Sequence, residues 1–146
     1  MFLDVFGRVS NAQAFGAAAV STDSIDLGAT SVSPNARQIG TGEPMGFGFS
    51  VTTAGTVAPS KIEIISATDA ALTAGILVHV VRDIPLAETV LGAQFFIPLP
   101  QGTPTQRFLG IRVTTAGGTI SGTAWLTTHS LFSLLAKPYP KGYTVS

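Results

Sequence analysis

The sequence contains no cysteine and few charged residues. Among its 146 residues there are 0 cysteines, so disulfides and thiolate metal sites are excluded. Charged side chains make up 11% of the chain, against about 25% in typical soluble domains. Lysine plus arginine equals aspartate plus glutamate at 8 each, so the formal net charge is zero. We therefore expect no nucleic-acid partner and little electrostatic repulsion between copies of the chain.

Long apolar segments are also missing. The apolar run at residues 15–20 is far shorter than the ~20 residues that span a bilayer, so we expect no membrane partner. The chain has the length of one domain. With 45% hydrophobic residues and few charges, it is typical of a protein that covers part of its surface with partners. A compact monomer with a hydroxyl-rich surface is the alternative.

Alternating patterns predict β-strands. Met45, Phe47, Phe49 and Val51 share one face of residues 45–53, which is the period of a strand with one buried face. Further strands are predicted at residues 24–27, 61–64, 75–82, 94–99, 107–115 and 121–131. Gly, Pro, Ser and Thr clusters separate them at short intervals. The sequence thus predicts an all-β, single-domain, jelly-roll-like sandwich of about eight antiparallel strands.

Two segments receive more specific predictions. Residues 75–82 are apolar on both faces, which predicts a central strand. We assign residues 1–136 to the sandwich domain, with an N-terminal extended segment. Residues 137–146 form a proline- and tyrosine-containing C-terminal arm, because their prolines disfavour both helix and paired strand.

No pattern in the chain indicates a catalytic, cofactor or metal site. The segment Gly40-Thr41-Gly42 leads into Glu43-Pro44 and a strand, whereas a phosphate loop needs a helix, a lysine and a hydroxyl residue. His79 and His129 have no ligand partner at metal-site spacing, and a structural role is predicted for His79. No nucleophile elbow occurs around Ser50. We therefore expect a protein that is not an enzyme and uses no cofactor.

Several short motifs resemble those of the capsid cement, or decoration, proteins of tailed bacteriophages. The matching residues are Asp4, Ser10-Asn11-Ala12-Gln13-Ala14, Ser21-Thr22-Asp23-Ser24-Ile25-Asp26-Leu27-Gly28-Ala29, Ile39-Gly40-Thr41-Gly42-Glu43-Pro44, Val51-Thr52-Thr53-Ala54, Ile84-Pro85-Leu86, Gly92, Phe95, Pro98-Leu99-Pro100 and Arg107-Phe108-Leu109. The resemblance covers residues 1–128. The pair Ile25-Asp26-Leu27-Gly28 and Gly40-Thr41-Gly42-Glu43-Pro44 is its most specific part.

The resemblance implies a structural virion protein on the outer surface of the capsid. Such a protein cements neighbouring major capsid subunits and self-associates as a dimer or trimer. The alternative, from another functional class, is a carbohydrate-binding jelly-roll module of a phage tail or fibre, because jelly rolls also serve as lectins.

Five residues are candidate contacts with a partner. Trp125 lies opposite Ala124 and Leu126 in its strand, so it faces outward as an interface anchor unless the strand is buried on both sides. Tyr139 and Tyr143 suit a docking arm, the alternative being a disordered terminus. Asp26 is expected to face solvent or a partner. Glu43 either binds turn amides or pairs with a capsid subunit.

Overall fold

The computed structural model describes residues 7–28, 44–54, 60–100, 105–128 and Phe132. Nine β-strands lie in these ranges: β1 Arg8–Phe15, β2 Ala19–Val20, β3 Ile25–Asp26, β4 Met45–Thr53, β5 Ser60–Ala67, β6 Leu77–Ile84, β7 Gln94–Leu99, β8 Phe108–Thr115 and β9 Ile120–Thr128. A 3₁₀ helix, Leu86–Glu88, lies between β6 and β7.

The strands form two antiparallel sheets, each of which contains strands from both the N-terminal and the C-terminal half of the chain. The first sheet has the order β1-β9-β4-β7, and the second has the order β2-β8-β5-β6 with β3 also paired to β8. Because β2 and β3 pair with successive parts of β8, they act as two pieces of one strand. Each sheet then has four strands drawn from both halves of the chain, which is an eight-stranded jelly roll. The predicted all-β sandwich is confirmed.

The core lies between the two sheets and follows the predicted alternation. In β4, Phe47 and Phe49 are fully buried, and in β8 the same is true of Leu109, Ile111 and Val113. These side chains belong to one cluster that draws on both sheets. The alternating pattern of the sequence therefore identified the inward face of both strands.

The prediction of a central strand at residues 75–82 is wrong. The observed strand, β6, pairs with β5 and, among the described residues, forms an edge of the second sheet. Its outward side chains Val78 and Val81 are 45% and 48% exposed. A strand that is apolar on both faces is normally covered on both faces, whereas the described residues leave the outer face of β6 open.

The first strand was not predicted. β1 falls in the segment assigned as an N-terminal extension, and its ladder with β9 shifts register between Arg8 and Gln13. Ala12, inside that interval, has φ 47°. These irregularities interrupt the period of two, so the alternation that marks the other strands is absent from the sequence. The predicted domain boundary at residues 136 and 137 lies outside the described residues.

A loop covers part of the outer face of the second sheet. Leu72, in the β5–β6 connection, is fully buried against Ile65 and Ala67 of β5. A Cβ atom at Gly110 would collide with the Leu72 side chain. The glycine in β8 therefore provides the space into which Leu72 packs.

Candidate interaction surface

The outer face of the first sheet carries an aromatic cluster formed by Phe96, Trp125 and Phe132. The ring centroids of Trp125 and Phe132 lie 6.3 Å apart, and those of Phe96 and Phe132 lie 5.3 Å apart. Trp125 pairs with Gly48 in the β4–β9 ladder. The absence of a side chain at Gly48 lets the indole pack closely against β4.

Trp125 faces outward as predicted, but other residues of the chain shield it from solvent. Ala124 belongs to the core cluster and Leu126 packs against it, so Trp125 lies on the opposite face of β9. It is nevertheless only 4% exposed. The strand is thus buried on both sides, which was the alternative to an open interface anchor. The interface role of Trp125 stays a prediction.

Asp26 lies on the surface in an ion pair with Arg107. Both carboxylate oxygens accept hydrogen bonds of 2.8 Å from the guanidinium, and Oδ1 also accepts one from the Gly28 amide. The hydrogen bonds from Arg107, followed by the one from Gly28, lower the pKa of Asp26 to about 2. Asp26 is therefore ionised and half exposed, so a partner that approaches it meets a neutralised pair rather than a free carboxylate.

A second ion pair lies on the outer face of the second sheet. Arg112 of β8 donates to Glu63 of β5, its neighbour across the ladder. Arg107 and Arg112 thus bind different acids and do not form a joint anion site. Three further candidate residues, Glu43, Tyr139 and Tyr143, lie outside the described residues.

The exposed apolar side chains collect in one part of the described chain. Among residues 7–28, 44–54, 60–100, 105–128 and 132, the large hydrophobic residues with an exposed side chain all fall between residues 77 and 91. They are Leu77, Val78, Val81, Leu86, Val90 and Leu91. The first three belong to the edge strand β6. The others form what we call the apolar connection: Leu86, Val90 and Leu91, between β6 and β7.

Sequence reasoning missed this surface because hydrophobicity alone does not distinguish a buried strand from an exposed one. Residues 75–82 have the composition of a central strand, but their composition does not indicate with which strands they pair. A signal was present in the apolar connection, where Val90 and Leu91 follow Pro85 in a segment with no strand pattern. Connections between strands generally run over the surface, so apolar residues in them are candidates for exposure.

A serine–histidine pair occurs in the structure, but its geometry is not that of a nucleophile and its base. Ser66 Oγ lies 2.6 Å from His79 Nε2 and also accepts a hydrogen bond from the Gln106 amide. The Ser66 side chain is fully buried, so a substrate has no access to it. Among the described residues no carboxylate is hydrogen-bonded to the His79 ring. His79 is hydrogen-bonded and partly exposed, as expected for a lone histidine in a strand.

The described residues also show no metal cluster and no membrane helix. They contain no group of three or more His, Asp or Glu side chains that could hold a metal ion. None of their helices has the length and apolar character needed to cross a bilayer.

One depression lies at the end of the second sheet, where β5, β6 and β8 terminate. Its volume is about 550 Å³. It is lined by Ser60, Lys61, Asp83, Ile84, Pro85, Thr114 and Ala116. The lining combines hydroxyl and charged groups with aliphatic ones, and it includes no aromatic side chain. A small polar ligand would find hydrogen-bonding groups there but no stacking platform.

Comparison with known proteins identifies a family. A search of curated proteins finds no match to this chain. A family model described as Bbp16 matches residues 9–126. The matched segment begins in β1 and ends in β9, so it contains strands of both sheets. Because the match covers more than half of the chain, the protein belongs to the Bbp16 family.

Proposed function

We propose that this protein is a structural component of a phage virion that binds the outer surface of the capsid and cements neighbouring major capsid subunits. The observation that carries the proposal is the collection of exposed apolar side chains between residues 77 and 91 of a charge-poor jelly roll. Exposed apolar side chains grouped in one part of a charge-poor protein favour a protein–protein contact. The motif resemblance to capsid cement proteins supplies the identity of the partner.

The mechanism is the burial of surface, without chemistry. The apolar connection presents Leu91 with 73% of its surface exposed and Val90 with 53%. Removing such side chains from water favours association by about 25 cal/mol for each Å² of apolar area. Few charges need to be desolvated when so charge-poor a surface docks. A symmetric shell repeats the contact many times, and self-association of the copies as dimers or trimers adds avidity.

The proposal assigns no enzymatic activity and no cofactor to the protein. Its support is the buried position of Ser66 and the separate ion pairing of Asp26 and Glu63, which leave these polar groups engaged with other residues of the same chain. A binding protein needs no reactive group, and its affinity comes from shape and area.

Carbohydrate binding is the second candidate. The observation that favours it is the depression at the end of the second sheet, which presents Lys61, Asp83 and Thr114 to a ligand. A module on a tail or fibre would use these groups to hydrogen-bond sugar hydroxyls. The missing aromatic platform among the described lining residues makes this the weaker candidate.

Co-sedimentation with expanded capsids that lack the protein tests the leading proposal. We expect saturable binding and an increased resistance of the shells to heat. A Leu91→Asp variant is expected to bind at least tenfold more weakly, because a charge must then be buried. Asp83→Asn serves as the control, since it alters the depression and leaves the apolar connection unchanged.

Failure of the wild-type protein to bind capsids would remove the leading proposal. Binding to a glycan array that Asp83→Asn abolishes and Leu91→Asp preserves would establish the carbohydrate-binding alternative instead.

A further inference from the structure

The four edges of the two sheets differ in how well they are protected from pairing with another chain. An edge strand exposes backbone N–H and C=O groups that can bind a further strand, and proteins usually block such edges. In this sandwich the edges are β1 and β7 in the first sheet, and the β2/β3 pair and β6 in the second.

The edge at β1 is blocked by its own chain. The Asp23 amide donates to the Val9 carbonyl at 2.9 Å. The Gln13 side chain donates to the Val20 carbonyl at 2.7 Å and accepts from the Thr22 amide at 2.8 Å. The connection between β2 and β3 is therefore hydrogen-bonded to β1, in the place that a partner strand would need.

Two further edges are unsuitable for other reasons. β7 contains Pro98, which has no amide hydrogen to donate. Its Phe96 carbonyl already accepts a hydrogen bond of 3.0 Å from Arg82. At the other end of the second sheet, β2 and β3 have two residues each, too few to hold a partner strand in register.

Within the part of the chain that the structure describes, no strand pairs with the free edge of β6. This strand has eight residues, and it contains neither proline nor lysine, the residues that commonly protect an edge. Its protection consists of the register shift opposite Ile64 and Ile65 and of two charged residues, Arg82 and Asp83. The Arg82 side chain is engaged with Phe95 and Phe96 of β7. Its outward side chains Val78 and Val81 are apolar and about half exposed.

We propose that β6 pairs antiparallel with β6 of a second copy of this chain, about a twofold axis close to Val81. The β2-β8-β5-β6 sheets of the two copies would then join into one continuous sheet. This inference rests on the self-association proposed above and specifies its surface and symmetry. A twofold contact brings the same patch together from both copies, and an apolar patch is complementary to itself.

The charges of the strand are compatible with the antiparallel arrangement. The guanidinium of Arg82 lies over the Phe95 ring and donates to the Phe96 carbonyl, so it is directed towards the first sheet and not along the free edge. With Val81 opposite Val81, each Asp83 lies opposite His79 of the other copy. The two Asp83 carboxylates are then four residues apart along the ladder, about 14 Å at 3.4 Å per residue. That separation exceeds the Debye length of ~8 Å at physiological ionic strength. Because the formal net charge of the chain is zero, no overall repulsion opposes the dimer.

Sedimentation velocity on the purified full-length protein, without capsids, tests the inference. We expect a concentration-dependent dimer. Val81→Lys and Val78→Lys are expected to raise the dimer dissociation constant at least tenfold, since each places two ammonium groups in the contact. Val81→Thr keeps the β-branched shape and is expected to retain the dimer. Circular dichroism confirms that each variant is folded.

Leu91→Lys is the matched control, because it adds the same charge to an exposed apolar position outside the edge strand. It is expected to leave the dimer intact. A protein that stays monomeric at all concentrations, a trimer, or a dimer that Val81→Lys leaves intact would overturn the inference. Equal disruption by Leu91→Lys would also overturn it, because the contact would then be a general apolar one.

Hydrogen exchange on capsids separates this inference from the proposed function. Protection of β6 that appears only on the shell would identify an extended capsid segment as the occupant and overturn the dimer. Loss of capsid binding in a protein that still dimerises through β6 would count against the cement function alone.

Discussion

The indole ring of Trp125 packs against Gly48, its partner across the β4–β9 ladder. A Cβ atom at Gly48 would lie 2.7 Å from both Cε2 and Cζ2 of the indole and 3.1 Å from Cδ2 of Phe132. The outer face of the first sheet is therefore closed by an aromatic side chain that only a glycine neighbour admits. The tryptophan that the sequence marked as a contact for another protein makes its first contacts within its own chain.

Gly48→Ala is expected to destabilise the protein by about 1–3 kcal/mol, the usual cost of forcing an extra methyl group into a packed site. The added carbon must displace the indole, because the opposing atoms belong to a rigid ring. Denaturant unfolding followed by the fluorescence of Trp125, the one tryptophan of the chain, measures both the stability and the change in the indole environment.

Gly16→Ala is the control for that experiment. A Cβ atom at Gly16 would meet nothing within 4 Å, so we expect a change within about 0.5 kcal/mol, as for other surface substitutions. Equal effects at Gly48 and Gly16 would show that the packing of Trp125 against Gly48 is unimportant.

Trp125→Ala is expected to cost about 3–5 kcal/mol of folding stability, as for other buried large aromatic residues. Trp125→Phe is expected to cost less, because it keeps a ring over Gly48 and removes an indole N–H that has no acceptor among the described residues. Thermal unfolding measured by circular dichroism compares the two.

The same variants test the interface role predicted for Trp125. Capsid binding is measured below the unfolding temperature, with only folded protein present. If Trp125→Phe is folded and binds capsids as well as the wild type, any aromatic ring at position 125 is sufficient for binding. If folded Trp125→Ala also binds normally, Trp125 is a structural residue and not a capsid contact.

His79 is expected to make the fold sensitive to mild acid. Burial lowers the pKa of its imidazole, and since Ser66 Oγ accepts the Gln106 amide, we assign its hydroxyl as the donor to Nε2 of the neutral ring. The unfolded chain therefore binds a proton at higher pH than the folded chain. The resulting stability is fully present above about pH 6.5 and falls as the pH drops through the lower folded pKa.

Unfolding of His79→Gln across pH 4–8 checks this sign. We expect the wild type to lose stability below pH 6.5 and the variant to lose less. The variant His129→Gln, measured in the same way, gives the contribution of the other histidine to the pH dependence of stability. A wild type and a His79→Gln variant with parallel pH profiles would contradict the prediction.

The Asp26–Arg107 pair is expected to matter little for stability at neutral pH, because both side chains are substantially exposed. The folded pKa of about 2 lies below the ordinary value of 3.8. The contribution of the ion pair to folding stability is therefore present above about pH 4 and is lost as the pH falls towards 2. NMR titration is expected to show the Asp26 pKa rising towards 3.8 in Arg107→Gln. An unchanged pKa would exclude Arg107 as the cause.

Asp26→Asn separates the surface ion pair from the predicted partner contact. If Asp26 meets a capsid subunit, the folded variant binds shells more weakly although its stability at pH 7 is nearly that of the wild type. Unchanged binding would remove Asp26 from the contact.

The strand patterns were predictable where a strand has one face in the core. Residues 45–53 and 107–115 alternate clearly, and the structure buries the predicted faces, because a period of two is imposed by the strand backbone itself. β1 escaped prediction because its irregular register near Ala12 breaks that period. The environment of the candidate contact Trp125 was not predictable in this way. Alternation places Trp125 on the outer face of β9, but its packing against Gly48 and Phe132 depends on residues distant in sequence.

The sequence by itself determined the all-β class, the inward faces of the main strands and the scarcity of charge, because these depend on residue type and local spacing. Only the tertiary structure decided which strand is an edge, since strand order arises from pairings between distant parts of the chain. Among the described residues, these pairings make β6 an apolar edge strand where the sequence predicted a central one. They also bring Phe132 against the outward-facing Trp125.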